Sequence, residues 1–316
     1  MTDLNHFTRR RWTASLATTA AALALPSLTR AAGNKPVLRA GDQKGNLRAL
    51  LEAAGELKSL DYEIAWTEFP AAAPLAEALN AEAVDLGPIG DAPLIFALAQ
   101  GVRVKAFAAN RSDAYATAVI VKADSPITDA AQLKGKSVAT NRGSIGHYVT
   151  LRALAEAGLK PADVQIRFLA PPDAKLALVA GSVDAWATWD PYTSVAEVVD
   201  KLRVLRSGRG LWSGLSYTVA TETALRDKRA LLVDFRSRVA RAQLWANAHV
   251  PEYSETLARI IGIPLPAARL SFERRQTRYI AIDAALNAEQ QRTADFYLDA
   301  GLLPKRLDVT GGFASI

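Results

Sequence analysis

The sequence predicts an α/β protein built of two similar lobes, and three observations carry that prediction. Short apolar or β-branched runs alternate with helical stretches across most of residues 37–220, the texture of sheets covered by helices on both faces. A segment recurs 99 positions later, Ala81–Pro93 matching Ala180–Tyr192, each with a Val-Asp pair (Val84-Asp85, Val183-Asp184) and a further Asp six residues on (Asp91, Asp190). Finally, the turn Asn141-Arg142-Gly143-Ser144-Ile145-Gly146-His147-Tyr148 joins a short strand to a helix. Free backbone N–H groups and the positive end of a helix dipole at such a turn can hold an anion.

In chain order, the N-terminus comes first. Thr8-Arg9-Arg10-Arg11-Trp12 is a charged head, Ala14–Leu25 is uncharged Ala, Leu, Thr and Ser, and Pro26–Ala32 offers small residues for a peptidase. That is the pattern of a secretory signal, residues 1–31, removed near Ala31. A span needs about 20 predominantly apolar residues, and this run is shorter and diluted by hydroxyls. The arginine pair before an aromatic resembles a twin-arginine signal, with Trp12 where Phe is usual, so the mature chain is expected in a bacterial periplasm.

Beyond it, strands are expected at Val37–Ala40, Tyr62–Trp66, Val84–Ile89, Val104–Ala108, Ala118–Val121, Gln165–Leu169 and Val183–Trp186, by their alternation and β-branched content. Apolar spacing places helices at Leu47–Lys58 and Pro74–Ala81, and after Tyr217–Ala220 the chain reads as helix almost throughout from Lys228 to Tyr297. Asp is a preferred N-cap and Pro is favoured just inside a helix, so Asp91 and Asp190 read as helix openings. Ligands of open α/β sheets bind at the carboxyl ends of the strands. Two such lobes facing each other form a clamshell, with parallel sheets expected in each.

Composition removes several function classes. The 316 residues carry 38 Lys and Arg against 32 Asp and Glu, and outside residues 1–31 the balance is 34 to 31, with no concentrated basic face for nucleic acid. Cys is absent, which excludes thiolate metal sites and cysteine nucleophiles. His occurs only at 6, 147 and 249 and forms no metal-spaced cluster with acids. Gly135-Lys136-Ser137 leads into a strand, the wrong setting for a phosphate loop, and Gly208-Arg209-Gly210 lacks the strand-then-helix context of a dinucleotide site. Ser144 and His147 lack a third orienting group and a nucleophile elbow. No cofactor, metal or catalytic residue is expected.

A family resemblance rests on residues spread along the mature chain: Gln43-Lys44, Trp66-Thr67-Glu68-Phe69-Pro70, Gly90-Asp91-Ala92-Pro93, Asp124-Ser125-Pro126-Ile127, Leu133-Lys134-Gly135-Lys136, Gly143-Ser144 with His147-Tyr148, and Val183-Asp184-Ala185-Trp186 leading to Trp189-Asp190-Pro191-Tyr192. In this order and spacing the sequence resembles the periplasmic substrate-binding proteins of ABC transporters. Within them it is similar to the aliphatic sulfonate binders, a group akin to nitrate and taurine binders. Two departures stand out: Asp91 where Glu is usual, and Ile145 where Asn is usual.

The resemblance implies the two-lobed periplasmic-binding-protein fold (type II), with two crossing strands as hinge, near Ala116–Val121 and Leu215–Ala220. Residues 32–115 and 218–316 would form one lobe and 116–217 the other. It also implies capture of a small organic sulfonate for a membrane permease and its ATPase subunit, with nitrate, taurine or another small organic anion as the alternative. A desulfinase-like enzyme is the remoter alternative, and its relatives use a Cys that this chain lacks. Expected ligand contacts are Gln43, Lys44, Gly90, Asp91, Ala92, Arg142, Gly143, Ser144 and His147, joined by Trp189, Asp190, Tyr192 and Tyr217. Trp186, inside a strand, is assigned to the core.

Overall fold

The structure, a computed structural model, describes residues 35–43 and 45–316. The expected export signal and Lys44 lie outside the described residues. The chain runs through Val37–Gln43 (β1), Leu47–Ala53 (α1), Glu63–Phe69 (β2), Ala72–Asn80 (α2), Leu86–Gly90 (β3), Asp91–Ala99 (α3) and Val104–Arg111 (β4). A second series follows: Thr117–Val121 (β5), Ser137–Thr140 (β6), Ile145–Glu156 (α4), Gln165–Phe168 (β7), Pro171–Val179 (α5), Ala185–Trp189 (β8), Tyr192–Val198 (α6) and Arg203–Ser207 (β9). The chain ends with Leu215–Thr221 (β10), Glu222–Asp227 (α7), Arg229–Ala248 (α8), Val250–Ile261 (α9), Leu265–Arg275 (α10), Arg278–Ile280 (β11) and Ala284–Asp299 (α11). None of the described helices is long and apolar enough to cross a membrane.

Two sheets result, ordered β11-β4-β10-β3-β1-β2 and β7-β6-β8-β5-β9. The second repeats the first: β2-β1-β3-β10-β4 corresponds to β7-β6-β8-β5-β9. β1 runs parallel to β2 and β3, as β6 does to β7 and β8. The expectation of parallel sheets is corrected: the edge strand β11 is antiparallel to β4, and one inner strand in each sheet runs backwards, β10 antiparallel to β3 and β4, and β5 to β8 and β9. β5 and β10 are reached from the other sheet, so they enter from the opposite end and run backwards. The chain crosses between the sheets at residues 112–116 and 208–214, immediately before β5 and β10. Each of those strands therefore lies within a single sheet.

The repeat in the sequence has a structural counterpart. Asp85 donates its N–H to the Arg39 carbonyl at 2.7 Å and accepts the Arg39 N–H at 2.7 Å. Asp184 does the same with Ser137, at 3.0 and 2.8 Å. In both sheets a carboxylate thus supplies a rung of the parallel ladder just before the third strand begins.

Apolar residues fill both faces of both sheets. Leu38, Leu51, Phe107 and Phe235 pack beneath α1 and α8, whereas Leu75, Ile89, Leu94 and Tyr217 pack on the α2 and α3 side. In the second sheet Val119, Val138 and Leu154 lie on the α4 face, and Ile120, Leu178 and Trp186 on the other. Trp186 is 1% exposed, a core residue as expected. Tyr297 of α11 packs against Phe96 of α3 at 4.8 Å and Tyr148 of α4 at 5.5 Å between ring centroids, fastening the two sheets' helices together.

Candidate ligand-binding site

The carboxyl ends of β1, β3, β6 and β8 converge on a cleft of about 660 Å³. Gln43, Gly90, Arg142, Gly143, Ser144, His147, Trp189, Asp190 and Tyr217 all border it, joined by crossing residues Ser112, Ala116 and Trp212. Asp91, Ala92 and Tyr192 do not border it.

The α4 opening is built as the sequence suggested, but with different donors free. Ser144 is the N-cap: its Oγ accepts the His147 N–H at 3.2 Å and donates to the Asn141 carbonyl at 2.7 Å, and its own N–H reaches the same carbonyl at 3.2 Å. Gly143, at φ +68° where glycine is favoured, donates its N–H to His147 Nδ1 at 3.3 Å. A helix leaves its first four N–H groups without intrahelical partners. With those of Ser144 and His147 taken, the amides of Ile145 and Gly146 are left without a partner among the described residues, and Ile145 borders the cleft.

An Nδ1 that accepts a hydrogen bond carries no proton, which assigns the His147 proton to Nε2. The ring is 1% exposed and sits edge-on to Phe168 at 5.1 Å. Burial, then the charge of Arg142, holds its pKa down at about 4, so the imidazole is neutral at physiological pH. The Arg142 guanidinium lies over the Phe168 ring, 3.8 Å from its centroid.

Both duplicated aspartates, expected as ligand contacts, are used in the structure as fasteners. Asp91 follows the N-cap, Gly90, and is fully buried; its carboxylate accepts the Ala92 N–H at 2.7 Å and the Trp212 indole N–H at 2.8 Å. Burial pushes its pKa up to about 7. Its carbonyl accepts from Gln290 of α11, whose Oε1 in turn accepts the Tyr217 hydroxyl at 2.9 Å. Tyr217 therefore borders the cleft with its hydroxyl already occupied. Asp190 precedes the α6 N-cap, Pro191, and accepts the Ser194 N–H at 2.9 Å and the Arg274 guanidinium at 2.7 Å. Arg274 also pairs with Glu197, so a buried cation from α10 holds the Asp190 carboxylate that borders the cleft. Tyr192 stands behind Trp189, edge-to-face at 6.0 Å.

Two further features were not anticipated. Arg275 borders the cleft and makes no ion pair with a described residue; nothing in the local pattern separates it from Arg274, which turns to Asp190. The helix openings also interlock. A Cβ added at Gly90 would lie 2.7 Å from Ile145 Cδ1, and one at Gly143 would lie 3.0 Å from the Phe96 ring. Each glycine receives a side chain from the opposite helix, Ile145 from the first turn of α4 and Phe96 from the body of α3. Among the described residues, no group of three His, Asp or Glu could hold a metal ion.

Comparison with known proteins agrees with this arrangement. A family model described as ABC transporter, phosphonate, periplasmic substrate-binding protein matches residues 58–238. An aliphatic sulfonates-binding protein of Escherichia coli (strain K12) is 35% identical over 292 residues, covering 91% of this chain and 92% of that one. The crystal structure of the periplasmic aliphatic sulphonate binding protein from Escherichia coli superposes with a TM-score of 0.80 at 34% identity, covering 88% of this chain and 92% of the other. The alkanesulfonate-binding protein of Xanthomonas axonopodis pv. citri, solved bound to MOPS, gives 0.84 at 30% identity, covering 90% and 100%. The two sheets, the double crossing and the cleft are those of the two-lobed type II periplasmic-binding-protein fold, and the chain belongs to the family of periplasmic aliphatic sulfonate-binding proteins of ABC transporters.

Proposed function

We propose that this protein captures one small organic sulfonate between its lobes in the periplasm and delivers it to a membrane permease driven by an ATPase subunit. The observation that carries the reading is the α4 opening, where the Ile145 and Gly146 amides are left without a partner among the described residues after the other first-turn donors are taken and Ile145 borders the cleft. A sulfonate is anionic throughout the physiological range and offers three acceptor oxygens, so fixed N–H donors suit it without a titrating partner. Neutral His147 adds an Nε2–H donor, and Arg142 and Arg275 supply positive potential at the rim. Gln43 completes the floor, its amide N–H held by the Pro88 carbonyl at 2.9 Å. The lobes divide at the crossings, with 35–111 and 215–316 in one and 117–207 in the other.

A thermal-shift panel tests the ligand class, since a ligand that binds only the native state raises the melting temperature by mass action. Alkanesulfonates are expected to raise it most. A larger shift with nitrate, an alkylphosphonate or a carboxylate would replace the sulfonate reading with that anion. The protein is expected to release no sulfite from sulfonates or sulfinates, and catalytic release would make it an enzyme. Export by the twin-arginine route predicts that replacing Arg9 and Arg10 with Lys strands the precursor in the cytoplasm. Unchanged periplasmic recovery would assign the general secretory route.

A further inference from the structure

The two chain crossings that join the sheets run side by side. The Ser112 N–H donates to the Gly214 carbonyl at 2.9 Å, and the Arg209 guanidinium of the second crossing pairs with Asp113 of the first at 2.7 Å. Crossings bonded to each other act as one flexible attachment, free to twist as well as to bend. Another attachment lies beside them. Helix α10 shares the core of the first sheet through Ala268 and Phe272, the latter edge-on to Tyr253 of α9 at 4.4 Å. Its last turn nevertheless reaches across to the second sheet, where Arg274 holds Asp190 through Nε at 2.7 Å and through Nη2, and pairs with Glu197 of α6. Among the described residues, every ion pair that joins 35–111 or 215–316 to 117–207 is made by Arg274.

The same turn of α10 is bonded to the first crossing. The Asp113 N–H donates to the Arg275 carbonyl at 2.6 Å, and the Asp190 N–H donates to the Ala116 carbonyl at 2.9 Å. The Arg209 and Arg274 guanidinium groups both lie over the Tyr115 ring, 5.0 and 5.4 Å from its centroid. The gripped carboxylate thus stands next to the crossing, where rotation of one sheet against the other displaces atoms least. Its side chain is 1% exposed and that of Arg274 8%, so parting them would leave buried charges uncompensated, which is strongly unfavourable. A bidentate pair also fixes direction as well as distance.

We propose that Arg274 is a positioning residue for ligand capture: α10 is the pivot of the clamshell, and its grip on Asp190 and Glu197 confines the ligand-free protein to bending about that point. The inference rests on capture between two lobes, as proposed above, and adds what sets the path along which they part. The ion pair stays made in the open form, and the cleft opens at the side away from it. A looser attachment populates wider and twisted arrangements, and the apparent affinity falls with the fraction of molecules able to close on the ligand.

Arg274→Lys keeps the charge and gives up the bidentate fork. In small-angle X-ray scattering of the ligand-free mature protein, this variant should have a larger radius of gyration than the wild type, and the two should coincide at saturating butanesulfonate. Calorimetry should show butanesulfonate affinity weakened at least threefold. If the Lys variant does not fold, the uncharged combination of Arg274→Met, Asp190→Asn and Glu197→Gln takes its place with the same expected results. Equal ligand-free radii overturn the pivot even if affinity changes, because a change in affinity alone would make Arg274 a distant charge acting on the anion. Absence of butanesulfonate binding by the wild type would overturn the sulfonate reading instead, and the ligand-free radii would still decide the pivot.

Discussion

Replacing His147 with Gln should change how stability depends on pH, and the structure gives the size of the change. The imidazole is 1% exposed, its Nδ1 accepts the Gly143 N–H, and burial with the nearby Arg142 charge holds its pKa at about 4 against the ordinary 6.5. The unfolded chain therefore takes up a proton near pH 6.5, while the native state refuses one until about pH 4. Between those values the unfolded state binds more protons, so the native state loses stability as pH falls. The whole gap is worth about 3 kcal/mol, and about 2 kcal/mol of it is lost between pH 8 and pH 5. Asp91 works in the opposite direction. Burial raises its pKa from 3.8 to about 7, so the native state binds the extra proton and gains stability as pH falls through that window. Asp42, whose pKa burial raises to about 7, acts in the same direction as Asp91, so the wild-type profile sums opposing contributions and isolates none of them. The difference between wild type and His147→Gln isolates the histidine, because Gln keeps a hydrogen-bond acceptor and does not titrate. In urea unfolding of the ligand-free mature protein, the variant should gain about 2 kcal/mol relative to wild type between pH 8 and pH 5. Parallel profiles would refute a buried neutral imidazole.

Other substitutions separate structural from binding roles. Ser144→Ala removes an N-cap whose hydroxyl is committed to Asn141 and His147, so it should cost about 0.5–2 kcal/mol of stability by urea unfolding and change sulfonate affinity less than threefold. Gly143→Val should abolish binding in calorimetry, because the site has φ +68° and the new Cβ would meet Phe96 at 3.0 Å. Arg274→Met leaves Asp190 buried without its cation and should destabilise by about 3–5 kcal/mol; adding Asp190→Asn and Glu197→Gln should restore most of the loss in chemical denaturation.

Much of the architecture was legible because it repeats. Val84-Asp85 and Val183-Asp184 mark the same step of the same βα pattern, and the two aspartates make matching ladder bonds to Arg39 and Ser137. The strand-to-helix turn at Asn141–Ser144 was legible from its residue order, although its unpartnered donors are the Ile145 and Gly146 amides, since Gly143 and Ser144 spend theirs on His147 and Asn141. β9 and β11 escaped notice. Both are edge strands, one reading Arg203-Val204-Leu205-Arg206-Ser207 and the other only three residues long, so neither shows a clean two-residue period. The roles of Asp91 and Asp190 could not be read locally, because their partners, Trp212 and Arg274, lie 121 and 84 residues away. A carboxylate beside a helix start looks the same in sequence whether it faces ligand or an indole. Ile145, a departure from the family pattern, gains its meaning only when the second helix opening brings Gly90 against it.

The most direct test uses the sulfur of the ligand. The chain has no Cys and a single Met, Met1, which lies in the expected export signal, so the mature protein contains no sulfur. In crystals of mature protein grown with butanesulfonate, a long-wavelength anomalous difference map should show one strong peak. Hydrogen-bond geometry places it about 3.5–4 Å from the Ile145 and Gly146 amide nitrogens, between the α3 and α4 openings. A peak elsewhere on the molecule, or an empty cleft at saturating butanesulfonate, would contradict the account.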